Sequence, residues 1–462
     1  MSADIEVGDL PRVLALTRTR DRAEDDPPYN DPVRRTFYYG WVNLVVAAIA
    51  MVATLPGRTQ GLGLVTEPLI ADLQLDRVSY ATINLWATLI GALFCLPCGR
   101  LTDRFGARAV LVTLLAGLGA TVIVMARVSG VAALSVTMTL TRGLGQSALS
   151  VVSLALVGKW FARRLNYAMG TFSVLVGFGF IAAFPAVGHA VMAAGWRTAW
   201  LGVGVTLLAL APFAWLAVRD SPAEDLAAPS APLERRPTAK DDDVEGLRSE
   251  PSDLTLREAL RSAAFWSFAL SSSIFGLVYS GIALFNQSIL EERGFDASTY
   301  LSALVISTML GLAANFGGGW LATRWPIARL MGLGMAVLAA ALLALPHVQT
   351  YAHVVAYAVA MGVSGGIVTV VFFSVWGQVF GRSHLGRIQG AAQMMTVFAS
   401  AIGPLLLART LQDTGSYNVM FNGLAVVVIA LGIISWRVPL PRRRPAEARA
   451  NPDATSEGFE TA

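Results

Sequence analysis

Twelve long runs of apolar residues dominate this sequence of 462 residues. Each run has roughly the 20 residues that an α-helix needs to cross the ~30 Å hydrocarbon layer of a bilayer. Helices satisfy their own backbone polar groups, which lipid cannot do. The sequence therefore predicts an all-α integral membrane protein with twelve transmembrane helices. The runs cover about residues 37–65, 80–98, 109–126, 131–158, 168–190, 198–218, 264–287, 299–322, 327–345, 354–379, 390–407 and 419–436.

The positions of the charges predict how these helices are oriented. Charged residues make up only 14% of the chain, whereas soluble domains average about 25%. The net charge of +4 comes from arginines at the ends of runs in alternate loops, so it does not indicate nucleic-acid binding. Arg34 and Arg35 precede the first run, and residues 442–444 are arginines that follow the last. We therefore predict a protein of the cell inner (plasma) membrane with both termini in the cytoplasm.

Polar stretches mark the predicted boundaries. Residues 1–36 contain no apolar core, which predicts a cytoplasmic tail and no cleavable signal peptide. Residues 219–257 are rich in Pro, Asp and Glu, so we predict a cytoplasmic linker. Near its end, Thr255 and Glu258 have the spacing of a capping box and predict a short helix. The remaining predicted units are an N-terminal six-helix bundle at 37–218, a C-terminal six-helix bundle at 258–437 and a cytoplasmic tail at 438–462.

The sequence shows no arrangement of residues that is typical of a catalytic or metal-binding site. The only two cysteines, Cys95 and Cys98, lie inside an apolar run, where packing explains them better than redox chemistry. No pair of carboxylates and no nucleophile with a neighbouring base stands out. We expect no cofactor, no metal ion and no enzymatic activity.

A charged loop follows the second run. Residues 99–108 read Gly-Arg-Leu-Thr-Asp-Arg-Phe-Gly-Ala-Arg and are expected to reverse the chain at the cytoplasmic surface. Gly99 and Gly106 allow close helix approach and unusual backbone angles. The pattern Gly-x-Leu-x-Asp-Arg-x-Gly-x-Arg resembles the loop signature between helices 2 and 3 of the major facilitator superfamily, and every position matches. The alternative is an ordinary basic loop that only orients the helices.

The two halves of the chain resemble each other. Residues 319–324 repeat residues 99–104, with Thr323 in place of Asp103. Together with the resemblance, this repeat implies the major facilitator fold, with two pseudo-symmetric six-helix halves and a site between them. We also predict an asymmetric cytoplasmic latch in which Asp103 pairs with nearby arginines when the protein is open outward. The latch residues are Gly99, Asp103, Arg104, Gly106, Arg108, Gly319 and Arg324.

Two arginines within apolar runs are candidates for solute binding. Arg142 lies near the middle of the fourth run, where an arginine costs ~2.5 to 3.5 kcal/mol on translocon scales, so we expect it to face a cavity. Arg58 follows a Pro-Gly break, whose freed backbone groups must face protein or water. Two alternatives stay open. For Arg142, the alternative to solute binding is that it only holds the bundle together through carbonyl groups of the first run. For Arg58, the alternative is that it reaches the outer membrane surface.

Neutral polar side chains extend the candidate site into the C-terminal half. No Asp or Glu lies in the middle of any run, and a positive cavity without carboxylates favours an anion. The predicted substrate-binding residues are Arg58, Gln60, Arg142, Gln146, Tyr279, Asn286, Gln287, Asn315, Gln389 and Gln393.

Several local strings are similar to bacterial relatives of the monocarboxylate transporters, including the oxalate/formate antiporter group. They include Tyr39-Gly40-Trp41-Val42, Phe265-Trp266 and Phe380-Gly381-Arg382. Members of those groups bind carboxylates through cations in segments 8 or 11, but these segments are neutral here, so Arg58 or Arg142 would take that role.

The resemblance implies a monomeric, secondary active or facilitative transporter, a symporter or an antiporter, that works by alternating access. Its expected cargo is a small organic anion, with a monocarboxylate as the first choice. Three alternatives stay open: an exporter of amphipathic compounds, a transporter of an inorganic anion such as nitrate, and a non-transporting receptor on the same scaffold.

Overall fold

The computed structural model describes residues 38–161, 165–220, 254–381 and 385–441. Within these ranges, twelve helices are long and apolar enough to cross a membrane, which confirms the predicted all-α fold. The N-terminal tail, most of the linker and residues 442–462 lie outside the described residues. The spans are α1 Gly40–Val52, α2 Arg77–Ala92, α3 Ala107–Met125, α4 Val131–Trp160, α5 Leu165–Ala194, α6 Trp196–Ala217, α7 Ala263–Glu291, α8 Ala297–Ala322, α9 Ile327–Ala344, α10 Tyr351–Phe380, α11 Leu385–Thr414 and α12 Asn418–Arg437.

Equivalent helix pairs pack in both halves of the chain. In the first half α1 packs on α5, α2 on α4 and α3 on α6, and in the second α7 packs on α11, α8 on α10 and α9 on α12. The two halves meet where α2 packs on α11 and α5 on α8. Both α5 and α11 have 30 residues and contain one proline, Pro185 and Pro404 respectively. This matched packing confirms the pseudo-symmetry that the repeat predicts.

The first span is broken and runs on in short pieces. Beyond α1, the chain forms a 3-10 turn at Leu55–Gly57, a helix at Thr59–Gly63 and a further helix at Thr66–Asp72. Pro56 causes the break because it has no N–H to donate and its ring crowds the preceding turn. Much of the segment between the first two apolar runs is thus helical, and α2 begins at Arg77.

The charged loop after α2 is mostly helical, so the predicted ten-residue turn is wrong. Residues Cys98–Phe105 form a helix, and α3 begins only two residues after it ends. Gly106 alone makes the reversal, with a φ of +82° that disfavours any residue with a Cβ. The Asp220 carboxylate accepts a hydrogen bond of 2.7 Å from the Arg108 N–H, which satisfies a free donor at the start of α3.

The predicted capping box at the end of the linker is present. A helix at Leu256–Arg261 follows Thr255, whose side chain accepts from the Glu258 N–H while the Glu258 carboxylate accepts from the Thr255 N–H. The prediction of a short helix before α7 is therefore confirmed.

Among the described residues, several contacts between the halves lie toward one membrane face. We call the face that carries the start of α1 and the end of α12 the terminal face, and the other the distal face. Toward the distal face, a Cβ placed on Gly188 of α5 would lie 3.2 Å from Cγ of Leu301 in α8. The rings of Tyr80 in α2 and Phe285 in α7 are 6.5 Å apart. The structure is thus closed at the distal face.

Candidate functional site

Two adjoining cavities lie between the halves. They have volumes of about 280 and 350 Å³ and share part of their lining. The N-terminal half contributes a cation and an amide to this shared wall, and the C-terminal half contributes two aromatic rings and a hydroxyl group. The shared residues are Arg58, Gln60, Phe275, Tyr279 and Thr369. The cavities therefore form a polar site that both halves build, as expected for a site near the midplane.

Arg58 occupies the shared wall and does not reach the outer membrane surface. The turn at Leu55–Gly57 interrupts α1 immediately before it and turns its side chain into the cavities. Its Nε donates a 2.7 Å hydrogen bond to Thr54 Oγ1, and its guanidinium carbon lies 5.1 Å from the ring centroid of Phe180. None of the ion pairs among the described residues includes Arg58. The site therefore presents a cation that no carboxylate of these residues neutralises.

Arg142 is buried behind the cavities instead of lining them, with only 2% of its surface exposed. It donates hydrogen bonds to Asn84 Oδ1, to Thr59 Oγ1 at 3.0 Å and to Gln146 Oε1 at 2.7 Å. A longer bond of 3.4 Å reaches the Gly57 carbonyl of the broken first span. Because Thr59 and Gln146 do line the smaller cavity, Arg142 positions the residues that a solute would touch.

Local backbone features make room for Arg142. The fourth span changes to π-helix over Arg142–Leu149, a feature that is frequent at functional sites. A Cβ placed on Gly91 of α2 would lie 2.9 Å from the Arg142 Cβ, and one on Gly143 would lie 2.6 Å from the ring of Phe94. Side chains at these glycines would therefore push α2 and α4 apart and pull the guanidinium away from Asn84.

The C-terminal half supplies the opposite wall. Tyr279 accepts a 3.3 Å hydrogen bond from the Gln60 side chain, which joins the two halves across the cavities. Its ring stacks on Phe275 with centroids 5.4 Å apart. Gln393 lines the smaller cavity and Asn315 the larger one. The structure thus brings Arg58, Gln60, Gln146, Tyr279, Asn315 and Gln393 together.

Three predicted site residues lie elsewhere. Asn286 accepts a 3.2 Å hydrogen bond from the Tyr357 hydroxyl inside the C-terminal half. Gln287 donates to Glu291 and lines a separate cavity toward the distal face. Gln389 lies in the first turns of α11, at the terminal face, and lines neither central cavity. None of the three points into the central site.

Sequence reasoning predicted Tyr279 but missed two phenylalanines of the site, Phe275 and Phe180. Phe275 lies one helical turn before Tyr279, so the spacing of i and i+4 would have placed both on one face of α7. Phe180 faces Arg58 from α5, and no sequence signal connects these two residues. Phe275 is therefore predictable from the sequence, whereas Phe180 is recognised only from the three-dimensional packing.

The predicted latch is only partly described. The guanidinium carbon of Arg108 lies 4.2 Å from the Trp215 ring, and that of Arg324 lies 3.7 Å from the Trp320 ring. Arg104 is exposed, and Gly319 lies near the end of α8. The Asp103 side chain and the surroundings of Gly99 lie outside what the structure describes. The latch therefore stays a prediction.

A larger cavity of about 640 Å³ lies elsewhere, among α1, α5 and α6. Apart from two threonines, Thr198 and Thr206, its lining consists of apolar residues and glycines. Such a cavity has no group that would orient a polar solute. Size alone therefore does not identify the site, and the central cavities are the better candidate.

Comparisons with known proteins agree with this architecture. The family model described as Major Facilitator Superfamily matches residues 36–404 and, in a second match, 312–460. Monocarboxylate transporter 13 from Rattus norvegicus is 26% identical over 394 residues, which cover 83% of this chain and 85% of that protein. Monocarboxylate transporter 11 from Homo sapiens is 26% identical over 420 residues, with 88% and 84% covered.

Two solved structures share the fold. The nucleoside transporter NupG superposes with a TM-score of 0.67 at 12% identity, covering 86% of this chain and all of that one. A bacterial homologue of the human lysosomal transporter Spinster, in an inward-facing and unoccupied conformation, gives a TM-score of 0.64 at 14% identity, with 87% and 96% covered. At these identities the two structures support the fold alone.

Proposed function

Because this chain belongs to the Major Facilitator Superfamily, a family of membrane transporters, we propose that its cargo is a small organic anion, with a monocarboxylate as the first choice. The observation that carries this proposal is Arg58, a cation in the wall that both central cavities share. Among the residues that the structure describes, neither cavity has an Asp or a Glu in its lining. A guanidinium group in such surroundings binds a carboxylate through charge-assisted hydrogen bonds.

The remaining lining fits a small polar solute. Gln60, Gln146 and Tyr279 offer amide and hydroxyl groups within the same space as Arg58. A carboxylate held by Arg58 would also reach the hydroxyl of Tyr279, which within the described part of the chain accepts one long hydrogen bond, from Gln60. The solute would thereby link the two halves. The similarity to two proteins named monocarboxylate transporters supports this choice of cargo.

Transport would proceed by alternating access. The six-helix bundles at 37–218 and 258–437 are the proposed rigid bodies, and they rock about the central site. With the distal face closed, the solute enters and leaves the site from the terminal face. We propose that this face is cytoplasmic because arginines precede the first span and follow the last. The protein would act as a monomer in the inner (plasma) membrane.

A second cargo class is favoured by one feature of the larger central cavity. Phe180, Phe184 and Phe275 line it together with Leu312 and Met361. An amphipathic compound would place its apolar part against these rings and its polar part near Arg58. Export of such compounds is therefore the second candidate function.

Uptake of labelled monocarboxylates into proteoliposomes tests the first proposal. Arg58→Ala removes the charged hydrogen-bond donor, so we expect a loss of initial uptake rate of about 10- to 100-fold, the equivalent of ~1.5–3 kcal/mol. Arg58→Lys keeps the charge and should retain part of the rate. Arg127→Ala, which removes an exposed arginine at the end of α3, is the matched control and should transport normally. Unchanged uptake by Arg58→Ala would contradict the proposal that Arg58 binds the solute.

A further inference from the structure

Glu67 lies where the distal face closes between the two halves. It sits on the short helix Thr66–Asp72, which packs against α7 of the other half. Its side chain is only 14% exposed. It lines a cavity of about 450 Å³ whose walls also include Gly188 of α5, Glu291 of α7 and Tyr300 of α8. An acidic side chain is therefore held inside a contact that must open if the halves rock.

The ionised form of Glu67 is only half satisfied there. Oε2 accepts a 2.6 Å hydrogen bond from Arg77, whereas Oε1 is buried with no partner among the described residues. The hydroxyl of Tyr300, a residue with 2% of its surface exposed in the same cavity, is also buried without a partner. A carboxylate oxygen can only accept, but a protonated carboxyl group also offers an O–H donor. The cavity thus holds a carboxylate oxygen and a hydroxyl group that lack hydrogen-bond partners among the described residues. A proton bound to Glu67 would add a donor there.

The charged and titratable groups around Glu67 come from every element that packs near it. Among the described residues, Arg77 at the start of α2 is the cation paired with it, and Tyr80 of the same helix also interacts with it electrostatically. Asp72 on the same short helix is already paired with Arg197 of α6. The C-terminal half brings further groups to this region, and its acids oppose a negative charge on Glu67. They are Glu291 and Glu292 of α7, Arg293 after it, Tyr300 of α8 and Tyr417 before α12.

We propose that Glu67 is a proton-binding site that controls the distal gate, so that the gate closes more readily when Glu67 is protonated. The proposal rests on the rocking motion of the proposed function, but not on the identity of the cargo. Closure buries the carboxyl group and brings it toward Glu291, and both changes disfavour the ionised form. Opening returns water to the carboxylate and leaves its pair with Arg77 intact.

The sign of the pH effect follows from these contacts. In the closed structure burial raises the pKa of Glu67, Arg77 lowers it and Glu291 raises it, with a net increase above the ordinary value of 4.5. The closed gate therefore binds the proton more tightly than an open gate in which the carboxylate is hydrated. Closure is favoured below pH 4.5, and this preference is lost as the pH rises through the raised pKa.

Distances between spin labels across the distal face would test this inference without any solute. We would replace Cys95 and Cys98 by Ser and attach labels at Arg127→Cys and Gln349→Cys, two exposed positions in different halves. Between about pH 4.5 and 8, we expect the fraction of short distances to increase at least twofold as the pH falls. Glu67→Gln, which mimics the protonated group, should show the short distance throughout.

Glu291→Gln is the matched control, because it removes an acid that faces Glu67 and leaves the carboxyl group itself. Its pH response should persist with a midpoint at lower pH, since Glu291 raises the pKa of Glu67. A pH response that is unchanged in Glu67→Gln, or no response in the labelled parent, overturns the proposal. A pH-dependent gate in a protein that does not take up monocarboxylates would instead contradict the proposed cargo.

Discussion

At the scale of single residues, two arginines in the N-terminal half have different surroundings and therefore different roles at the central site. Arg58 follows a helix break and faces the cavities, so its charge is available to a solute. Arg142 is buried, and its two terminal guanidinium nitrogens donate to Asn84, Thr59, Gln146 and the Gly57 carbonyl. A buried arginine needs this many acceptors because an unpaired charge in lipid surroundings is costly. These contacts favour the alternative in which Arg142 braces the first span, since it meets the cavity wall only through Thr59 and Gln146, and its own contact with a solute stays a prediction.

The coupling between Arg142 and Asn84 can be measured. Arg142→Lys keeps the charge but cannot reproduce the planar set of donors, so we expect a lower melting temperature in detergent and a lower uptake rate. Asn84→Ala removes the acceptor and leaves buried N–H groups unpaired, which costs about 1–3 kcal/mol. Because both changes break one interaction, the double variant should lose less stability than the sum of the single losses. Additive losses would show that the two side chains do not act together.

The site residues show what sequence could and could not predict. Arg58, Gln60 and Gln146 were found because charged and amide groups inside apolar runs are rare. Asn286, Gln287 and Gln389 are polar too, but one hydrogen-bonds within its own half, one faces the distal cavity and one sits at the terminal face. With a polar residue on nearly every face of α7, hydropathy alone could not tell which face meets the cavity.

At the scale of helices, the long apolar runs predicted the spans, and glycines with positive φ mark several of their ends. Gly195 before α6 and Gly415 before α12 both adopt positive φ, at +79° and +73°, which matches their equivalent places in the two halves. The charged loop was harder to predict, because its residues are polar yet helical over Cys98–Phe105. Arg, Leu and Phe tolerate helix well, and only Gly106 has the backbone freedom that ends it.

Close contact between α8 and α10 yields a prediction about two glycines. A Cβ on Gly366 would lie 2.7 Å from the Ala314 Cβ and 2.7 Å from the Asn315 N atom, whereas one on Gly317 would meet nothing within 4 Å. Alanine gains up to ~1 kcal/mol of helix propensity at either position. We expect Gly317→Ala to keep or raise the melting temperature and Gly366→Ala to lower it by an amount equivalent to ~1–3 kcal/mol. Equal effects in thermal unfolding would mean that this helix contact is not tight.

At the scale of the whole molecule, the halves share a scaffold but divide the chemistry. Their distal ends are pinned in equivalent ways: Asp72 accepts from Arg197 at the start of α6, and Glu292 accepts from Ser416 just before α12. The central site is not symmetric, since its arginine comes from the N-terminal half and its stacked aromatic pair from the C-terminal half. A solute between them would therefore contact two different surfaces that move relative to each other.

Rigid-body rocking of the halves predicts that a cross-link between them stops transport while one within a half does not. Gly188→Cys with Leu301→Cys joins α5 to α8 across the distal gate, where a Cβ on Gly188 lies 3.2 Å from Cγ of Leu301. Gly119→Cys with Leu208→Cys joins α3 to α6 inside one half, at 3.0 Å from Cγ of Leu208. In a background with Cys95→Ser and Cys98→Ser, oxidation should abolish uptake only for the first pair, and reduction should restore it. Continued uptake by the oxidised first pair, with the disulfide verified by mass spectrometry, would show that the distal face does not need to open.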